Sequence, residues 1–253
     1  MHVLVTGVNG QLGYDVVRAL EKRNIAYKGV GFADFDITNE RAVDEYILNY
    51  RPDVVIHCSA YTAVDKAEGI PEYCEQVNSK GTYYIAKACK KVDAKMVYIS
   101  TDYVFPGDGE QEYETEDEAQ PLSVYGKTKL LGEIAVKDML KKYFIVRVSW
   151  VFGKNGNNFV NKMIQIGKEH SVVNVVCDQI GSPTYTADLA SLLCDMISTD
   201  KYGIYHATNE GYCSWAEFAE EIFTLVKYDT RVNRVLSIEY PTTAARPLVF
   251  GIR

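Results

Sequence analysis

The stretch Met1-His2-Val3-Leu4-Val5-Thr6-Gly7-Val8-Asn9-Gly10-Gln11-Leu12-Gly13-Tyr14-Asp15-Val16-Val17-Arg18-Ala19-Leu20 decides the reading of the fold. Residues 2–6 are an apolar run suited to a buried strand, and Gly7, Gly10 and Gly13 follow at once. Behind them Leu12, Val16, Val17 and Leu20 recur at helical spacing, so the chain turns directly from strand into helix. Glycines in such a turn let the backbone bend tightly and approach a pyrophosphate, whose charge the helix N-terminus favours. The spacing G-x-x-G-x-x-G differs from G-x-G-x-x-G but serves the same physics. A tight turn without a ligand is the plain alternative. The place of the motif, straight after the first strand, favours dinucleotide binding.

Strand and helix alternate onward from there. Strands are expected over residues 25–30, 53–58, 95–100 and 144–149, with helices over 40–50, 71–91 and 125–142. That alternation predicts an α/β chain with a Rossmann-like, doubly wound parallel sheet and ligands at the carboxyl ends of its strands. Residues 1–152 make the dinucleotide-binding domain in this reading. Past it the regularity weakens: a helix over 159–168, a strand over 172–177, a polar loop over 178–184, a helix over 187–198 and a strand over 203–207. Ser214 and Glu217 then form a capping box for another helix. Residues 153–253 are mainly a smaller C-terminal substrate-binding lobe, with residues 172–209 partly returning to the first domain.

Chemistry is expected just after each strand. The fourth strand ends at Ser100 and Thr101, and a later helix carries Tyr125 and Lys129 four residues apart, hence on one face. A phenol is a poor acid or base at neutral pH, and a neighbouring ammonium favours its phenolate. Tyr125 would donate a proton to a carbonyl oxygen, Lys129 would lower the Tyr125 pKa and bind the nicotinamide ribose, and Thr101 would orient the reacting oxygen. Tyr-x-x-x-Lys alone is weak in a chain with 19 tyrosines. A second copy, Tyr83 and Lys87, has no Ser-Thr strand tip at the matching distance and reads as an ordinary helix face with an extended lysine. The second strand ends in Lys28-Gly29-Val30-Gly31, which offers neither an acid for a ribose nor an Arg for a 2′-phosphate. NADPH and NADH both stay open; Asp36, further on, could hold the adenine amino group.

The totals exclude other classes. The 253 residues are 47% hydrophobic and 24% charged, an ordinary globular composition, with a net charge of -7 that argues against nucleic acid as a partner. No apolar run approaches the ~20 residues of a membrane span. The chain enters its first strand at once, leaving no room for a signal peptide. Six scattered cysteines without a C-x-x-C read as reduced thiols, so a cytoplasmic location is expected. The acidic stretch 107–118 reads as a solvated loop beside the site.

Gly7–Gly13, Asp36-Ile37-Thr38, the stretch 60–68 and Asn78 resemble the extended short-chain dehydrogenases/reductases. More narrowly, the stretches 100–105, 124–129, 147–150 and Asp178-Gln179-x-Gly181-x-Pro183-Thr184 resemble the dTDP-4-dehydrorhamnose reductase family. The resemblance implies an oxidoreductase of dTDP-rhamnose biosynthesis: NADPH- or NADH-dependent reduction of the C4 keto group of dTDP-4-dehydro-L-rhamnose to dTDP-L-rhamnose. It implies a cofactor shell at Gly10, Gln11, Leu12, Asp36, Ile37, Ala60, Tyr61, Thr62, Tyr125 and Lys129, to which the turn adds Gly7 and Gly13. Thr101, Asp102 and Trp150 would contact the sugar, and Arg246 of Ala245-Arg246-Pro247 the nucleotide diphosphate. Members can bind Mg²⁺ at a homodimer interface through acidic residues; Asp15 stands at one such position, with Asp where Glu is expected, and is a weak Mg²⁺ candidate. The chain ends at residues 248–253, where the family usually continues with polar residues and a terminal helix.

Two alternatives accompany this reading. Another extended-family nucleotide-sugar enzyme, such as an epimerase or dehydratase, would share the turn and the Tyr/Lys pair, although Asp102-Tyr103 does not supply the Asp-Glu of a dehydratase. A non-catalytic regulatory subunit, like that of methionine adenosyltransferase, would share the fold but need not keep Thr101, Tyr125 and Lys129 together.

Overall fold

A computed structural model describes residues 1–108, 112–248 and 251–252 of the chain. The alternating half consists of β1 (His2–Thr6), α1 (Gln11–Lys22), β2 (Ala26–Val30), α2 (Glu40–Tyr50), β3 (Val54–His57), α3 (Val64–Ala67), α4 (Pro71–Glu75), α5 (Thr82–Val92), β4 (Lys95–Thr101), α6 (Val124–Met139) and β5 (Tyr143–Val148). There follow β6 (Val151–Phe152), α7 (Phe159–Glu169), β7 (Val172–Val176), β8 (Ile180–Gly181), β9 (Thr184–Tyr185) and α8 (Thr186–Met196). The chain closes with β10 (Gly203–His206), β11 (Cys213–Ser214), α9 (Trp215–Val226) and β12 (Arg231–Val235).

The central sheet has six strands in the order β10-β5-β4-β3-β1-β2, every neighbouring pair parallel. This is the doubly wound sheet that the alternation predicts. From β1 the chain steps out to β2, then crosses back to β3 on the other side, so the strand order reverses between β1 and β3. A crevice opens at such a reversal, beyond the carboxyl ends of the strands.

Both faces of the sheet are covered, which is why its strands read as continuous apolar runs. Val3, Val5, Ile56 and Val97 point to one face, where Leu12, Val16 and Leu20 of α1 meet Leu189 and Leu193 of α8. Leu4, Val55, Met96 and Tyr98 point to the other, under Val43 and Ile47 of α2, Ile85 and Cys89 of α5 and Val136 of α6. A third core joins Met163 of α7, Val173 and Val175 of β7, and Ala219, Ile222 and Phe223 of α9. Within residues 172–209, α8 and β10 join the main sheet, whereas β7 pairs with β12 away from it. The loop expected over 178–184 also differs: β8 pairs with β11 there, and β9 with β6.

The single helix expected over 71–91 is interrupted. Between α4 and α5, residues Gln76–Gly81 widen into a π-helical turn. Its cause is Asn78, whose side chain leaves the helix face to bond the backbone of Tyr61 in both directions, at 2.8 and 3.1 Å. Such bulges recur at functional sites.

Below the strand tips Arg147 and Glu133 form a buried bidentate pair at 2.8 and 2.9 Å, with 4% and 2% of their side chains exposed. Ser100 also donates to Glu133, at 2.5 Å, so α6 is held to β4 and β5 by charge as well as by packing. Removing one partner leaves the other charge buried and unpaired. Arg147→Leu is expected to cost ~3–5 kcal/mol in urea unfolding, and a loss under ~1 kcal/mol would contradict that accounting.

Candidate active site

The glycine turn leaves no room for side chains. Gly7 has φ +70, in the left-handed region, and a Cβ there would lie 2.8 Å from the Ser59 nitrogen. A Cβ on Gly13 would come within 2.3 Å of the Gly7 carbonyl oxygen. Gly10 is the N-cap of α1, and no side chain caps that helix. Beside the turn lies a cavity of about 300 Å³, lined among others by Gly7, Gly10, Asp36, Ile37, Ser59 and Ala60. The Gln11 Oε1 is buried and has no hydrogen-bond partner in the chain. Close backbone and an uncapped helix start, with free amide donors, fit a dinucleotide pyrophosphate.

Of the other expected cofactor residues, Asp36, Ile37 and Ala60 line that cavity, whereas Leu12, Gly13, Tyr61 and Thr62 lie close to its lining residues in the chain. Asp36 is fixed by the Thr38 amide and hydroxyl, which donate to it at 2.9 and 2.8 Å. Leu12 and Gly13 are buried in the first turn of α1, behind the cavity wall. Tyr61 is pinned by Asn78, and Thr62 beside it is exposed. Asn78 thus holds the loop after β3 while its amide also reaches Thr128 of α6 at 3.2 Å.

Ser123 caps α6 through the Gly126 amide, starting the helix just past the tip of β4. Lys129 is buried; its Nζ donates to the Ile99 carbonyl at 2.6 Å and lies 4.1 Å over the Tyr98 ring. Burial pushes the Lys129 ammonium down to about 7, with Glu133 acting in the opposite direction. Tyr125 meets the Thr101 hydroxyl, and its ring packs edge-on against Tyr103 at 5.5 Å. Thr101 donates to Asp102 at 2.9 Å and Ser149 donates to the other Asp102 oxygen at 2.7 Å. Burial raises the Asp102 carboxyl to about 6, against the lowering effect of Ser149 and Thr101. Thr101, Asp102, Tyr125 and Lys129 are therefore gathered at the end of β4.

One expectation reverses in sign. Lys129 was expected to lower the Tyr125 pKa, yet the Tyr125 phenol is raised, first by desolvation and partly offset by the Thr101 hydroxyl. The Lys129 Nζ is directed to the Ile99 carbonyl, and removal from water outweighs any gain for the phenolate. The control behaves as its sequence suggests: Lys87 reaches across to Glu40 at 2.8 Å, a surface pair between α5 and α2.

A second cavity of about 300 Å³ lies between α7, β7 and the 240–246 segment, lined by Phe159, Lys162, Met163, Gln179, Trp215 and Arg246 among others. Arg246 pairs with Asp65 at 2.5 Å, and its Nε is buried without a partner. The charge of Arg246 is felt by Tyr103, which packs on Tyr125, so this cavity adjoins the end of β4 where Tyr125 meets Thr101. Trp150 has φ +44 and stacks on Trp215 with centroids 3.5 Å apart. Trp215, and not Trp150, is the indole that lines the cavity. The sequence assigned no site role to Trp215, Phe159 or Lys162. Their signal was an apolar stripe on α7 broken by a lysine.

Asp15, the weak Mg²⁺ candidate, is buried where α1 meets α8 and accepts from the Thr186 hydroxyl. That place differs from an open dimer surface. Among the described residues no group of three or more His, Cys, Asp or Glu side chains could hold a metal ion, and no helix is long and apolar enough to cross a membrane. All six cysteines are free. Residues 109–111 of the acidic loop, and Val249, Phe250 and Arg253 of the chain end, lie outside the described residues.

The model of a family described as RmlD substrate binding domain matches residues 1–249. The dTDP-4-dehydrorhamnose reductase of Streptomyces griseus is 42% identical over 251 residues, covering 96% of this chain and 83% of that protein. A crystal structure of dTDP-4-dehydrorhamnose reductase from Bacillus anthracis in complex with NADP superposes with a TM-score of 0.98 at 43% identity, over 100% of this chain and 90% of that one. The corresponding structure from Clostridium acetobutylicum gives the same TM-score, 0.98, also at 43% identity and with coverage of 100% and 90%. A matching model along nearly the whole chain and relatives of this identity place the protein in the dTDP-4-dehydrorhamnose reductase family.

Proposed function

We propose that this chain reduces the C4 keto group of dTDP-4-dehydro-L-rhamnose to dTDP-L-rhamnose at the expense of NADPH or NADH. The observation that carries the reading is the meeting of the Tyr125 phenol with the Thr101 hydroxyl at the end of β4, with Lys129 buried on the same helix face. When bound, the reduced nicotinamide supplies the hydride that reaches the carbonyl carbon. Tyr125 gives its proton to the C4 oxygen, so that ketone, hydride and proton balance to a secondary alcohol. Its high pKa keeps the phenol protonated until charge develops on that oxygen. When the ketone is in place the Thr101 hydroxyl turns its single proton from Asp102 to the same oxygen and fixes its direction. Ser149 still donates to the Asp102 carboxylate and holds it beside Thr101.

The cavity beside the glycine turn takes the dinucleotide, through Gly7, Gly10, Gln11, Asp36, Ile37 and Ala60, with Leu12, Gly13, Tyr61 and Thr62 shaping its walls. Lys129 turns from the Ile99 carbonyl to the nicotinamide ribose. The second cavity takes the substrate, Trp215 backed by Trp150 forming its apolar wall and Arg246 meeting the diphosphate. We divide the chain accordingly into a dinucleotide-binding domain over residues 1–152, joined by part of 172–209, and a substrate lobe over the rest of 153–253. The free thiols support a cytoplasmic enzyme, the exposed Leu131 and Ile134 on α6 support a homodimer, and the net charge of -7 argues against nucleic acid as a partner. Sedimentation equilibrium tests the dimer.

The direct assay mixes the protein with dTDP-4-dehydro-L-rhamnose and NADH or NADPH. Net oxidation of the cofactor with formation of dTDP-L-rhamnose is expected. A conversion without net cofactor use would mean an epimerase, and no conversion with either cofactor a binding protein.

Tyr125→Phe is expected to lower kcat at least ~100-fold while dinucleotide affinity changes less than about twofold. A kcat within about threefold of the parent would remove Tyr125 from the proton-transfer role. Arg246→Ala should raise KM for the nucleotide sugar about tenfold with a smaller change in kcat, as loss of a charged hydrogen bond does. A kcat loss with unchanged KM would place Arg246 elsewhere.

The pH dependence has a definite sign. Lys129 is charged below about 7 in the empty protein and loses its proton above it. An ammonium donates a stronger hydrogen bond to a ribose hydroxyl than an amine does. Dinucleotide affinity should therefore fall as pH rises through about 7, and the Lys129→Met variant should show a flat profile. An affinity that rises across this window in the parent protein would refute the assignment.

A further inference from the structure

The tip of β2 is built unlike the tip that reads a 2′-phosphate. In doubly wound dinucleotide sites an acid there binds the ribose hydroxyls, or an Arg accepts the phosphate. Here the strand runs out into Gly31 and Phe32. A side chain at position 31 would begin 2.7 Å from the Asn9 amide nitrogen, so Asn9 occupies that space. Phe32 lines the cavity and is 77% exposed, a large apolar ring left open to solvent at its mouth. Tyr73 lines the same cavity and is 52% exposed.

Charge points the same way. Among the described residues lining this cavity there is no Lys or Arg, and the one ionisable side chain of either sign that lines it, apart from Tyr73 and Cys58, is the Asp36 carboxylate. Asp34 stands next to the tip, its carboxylate accepting the Gly31 amide at 2.8 Å. A 2′-phosphate, with its charge near -2, would enter beside two carboxylates without a cation to meet it. A free 2′-hydroxyl carries no such cost. An adenine ring can cover Phe32, exchanging exposed apolar area for stacking.

Resting on the dinucleotide-reducing function proposed above, we infer that Gly31 and Phe32 make this chain selective for NADH over NADPH, Phe32 acting as a stacking platform for the adenine in place of a phosphate-binding cation.

The test is equilibrium binding to the full chain without sugar substrate, followed by quenching of tryptophan emission or by calorimetry. NADH should bind about tenfold or more tighter than NADPH, the scale of one charged group left unmatched. Phe32→Arg should move the ratio of the two affinities toward NADPH by about tenfold, because a planar cation both stacks and pairs with phosphate. Phe32→Ala should weaken both nucleotides by a similar factor and leave their ratio in place. Phe32 is a surface ring, and circular dichroism of both variants checks that the fold is retained. Equal or tighter binding of NADPH by the parent protein overturns the inference, as does a ratio that Phe32→Arg leaves unchanged. Binding of neither nucleotide would instead strike down the dinucleotide reading itself, and the selectivity with it.

Discussion

The site depends on how closely α6 lies against the end of β4. Three bonds set that distance: the Lys129 Nζ to the Ile99 carbonyl, the Tyr98 hydroxyl to the Lys129 carbonyl at 3.1 Å, and the Ser100 hydroxyl to Glu133. Gly132 makes the approach sterically possible, since a Cβ there would lie 2.2 Å from the Tyr98 hydroxyl oxygen. Because the helix is pinned at this height, Tyr125 one turn earlier meets Thr101. The Arg147–Glu133 pair below adds charge to the same joint. The Tyr125 phenol and the Thr101 hydroxyl are thus held by buried structure, and on the proposed mechanism little reorganisation remains for the chemical step.

Burial has a price on the acid–base side. Lys129 loses hydration and comes down to about 7, whereas Tyr125 goes up. His57 nearby comes down to about 3, so it is neutral, and it bonds Thr6 and Thr82 without charge. Near neutral pH the charge at the strand tips is that of the Asp102 carboxylate, raised to about 6, and of the partly protonated Lys129. In the proposed reading, coupling of Lys129 to the bound dinucleotide restores its positive charge.

Much of this could be read from residues. The first glycine turn was legible because each glycine answers to a specific close approach, and Tyr125/Lys129 stood out against Tyr83/Lys87, whose lysine indeed serves a surface pair with Glu40. The apolar runs of β3 and β4 announced a sheet covered on both faces. What escaped depends on contacts between distant segments. Asn78 distorts its helix because the loop at Tyr61 needs its amide, which no local pattern reveals. Trp150 was expected at the sugar, yet Trp215, far along the chain, stacks on it and takes the cavity wall. The sign of the Tyr125 shift was missed because spacing reports neighbouring charges and says nothing of desolvation.

A crystal structure of the complex with oxidised dinucleotide and dTDP-L-rhamnose tests the central claim most directly. The account predicts the Tyr125 and Thr101 hydroxyl oxygens at about 2.6–3.2 Å from the sugar O4, and the Lys129 Nζ turned from the Ile99 carbonyl to the nicotinamide ribose. A sugar O4 more than about 5 Å from both hydroxyls, with Lys129 still on Ile99, would contradict it.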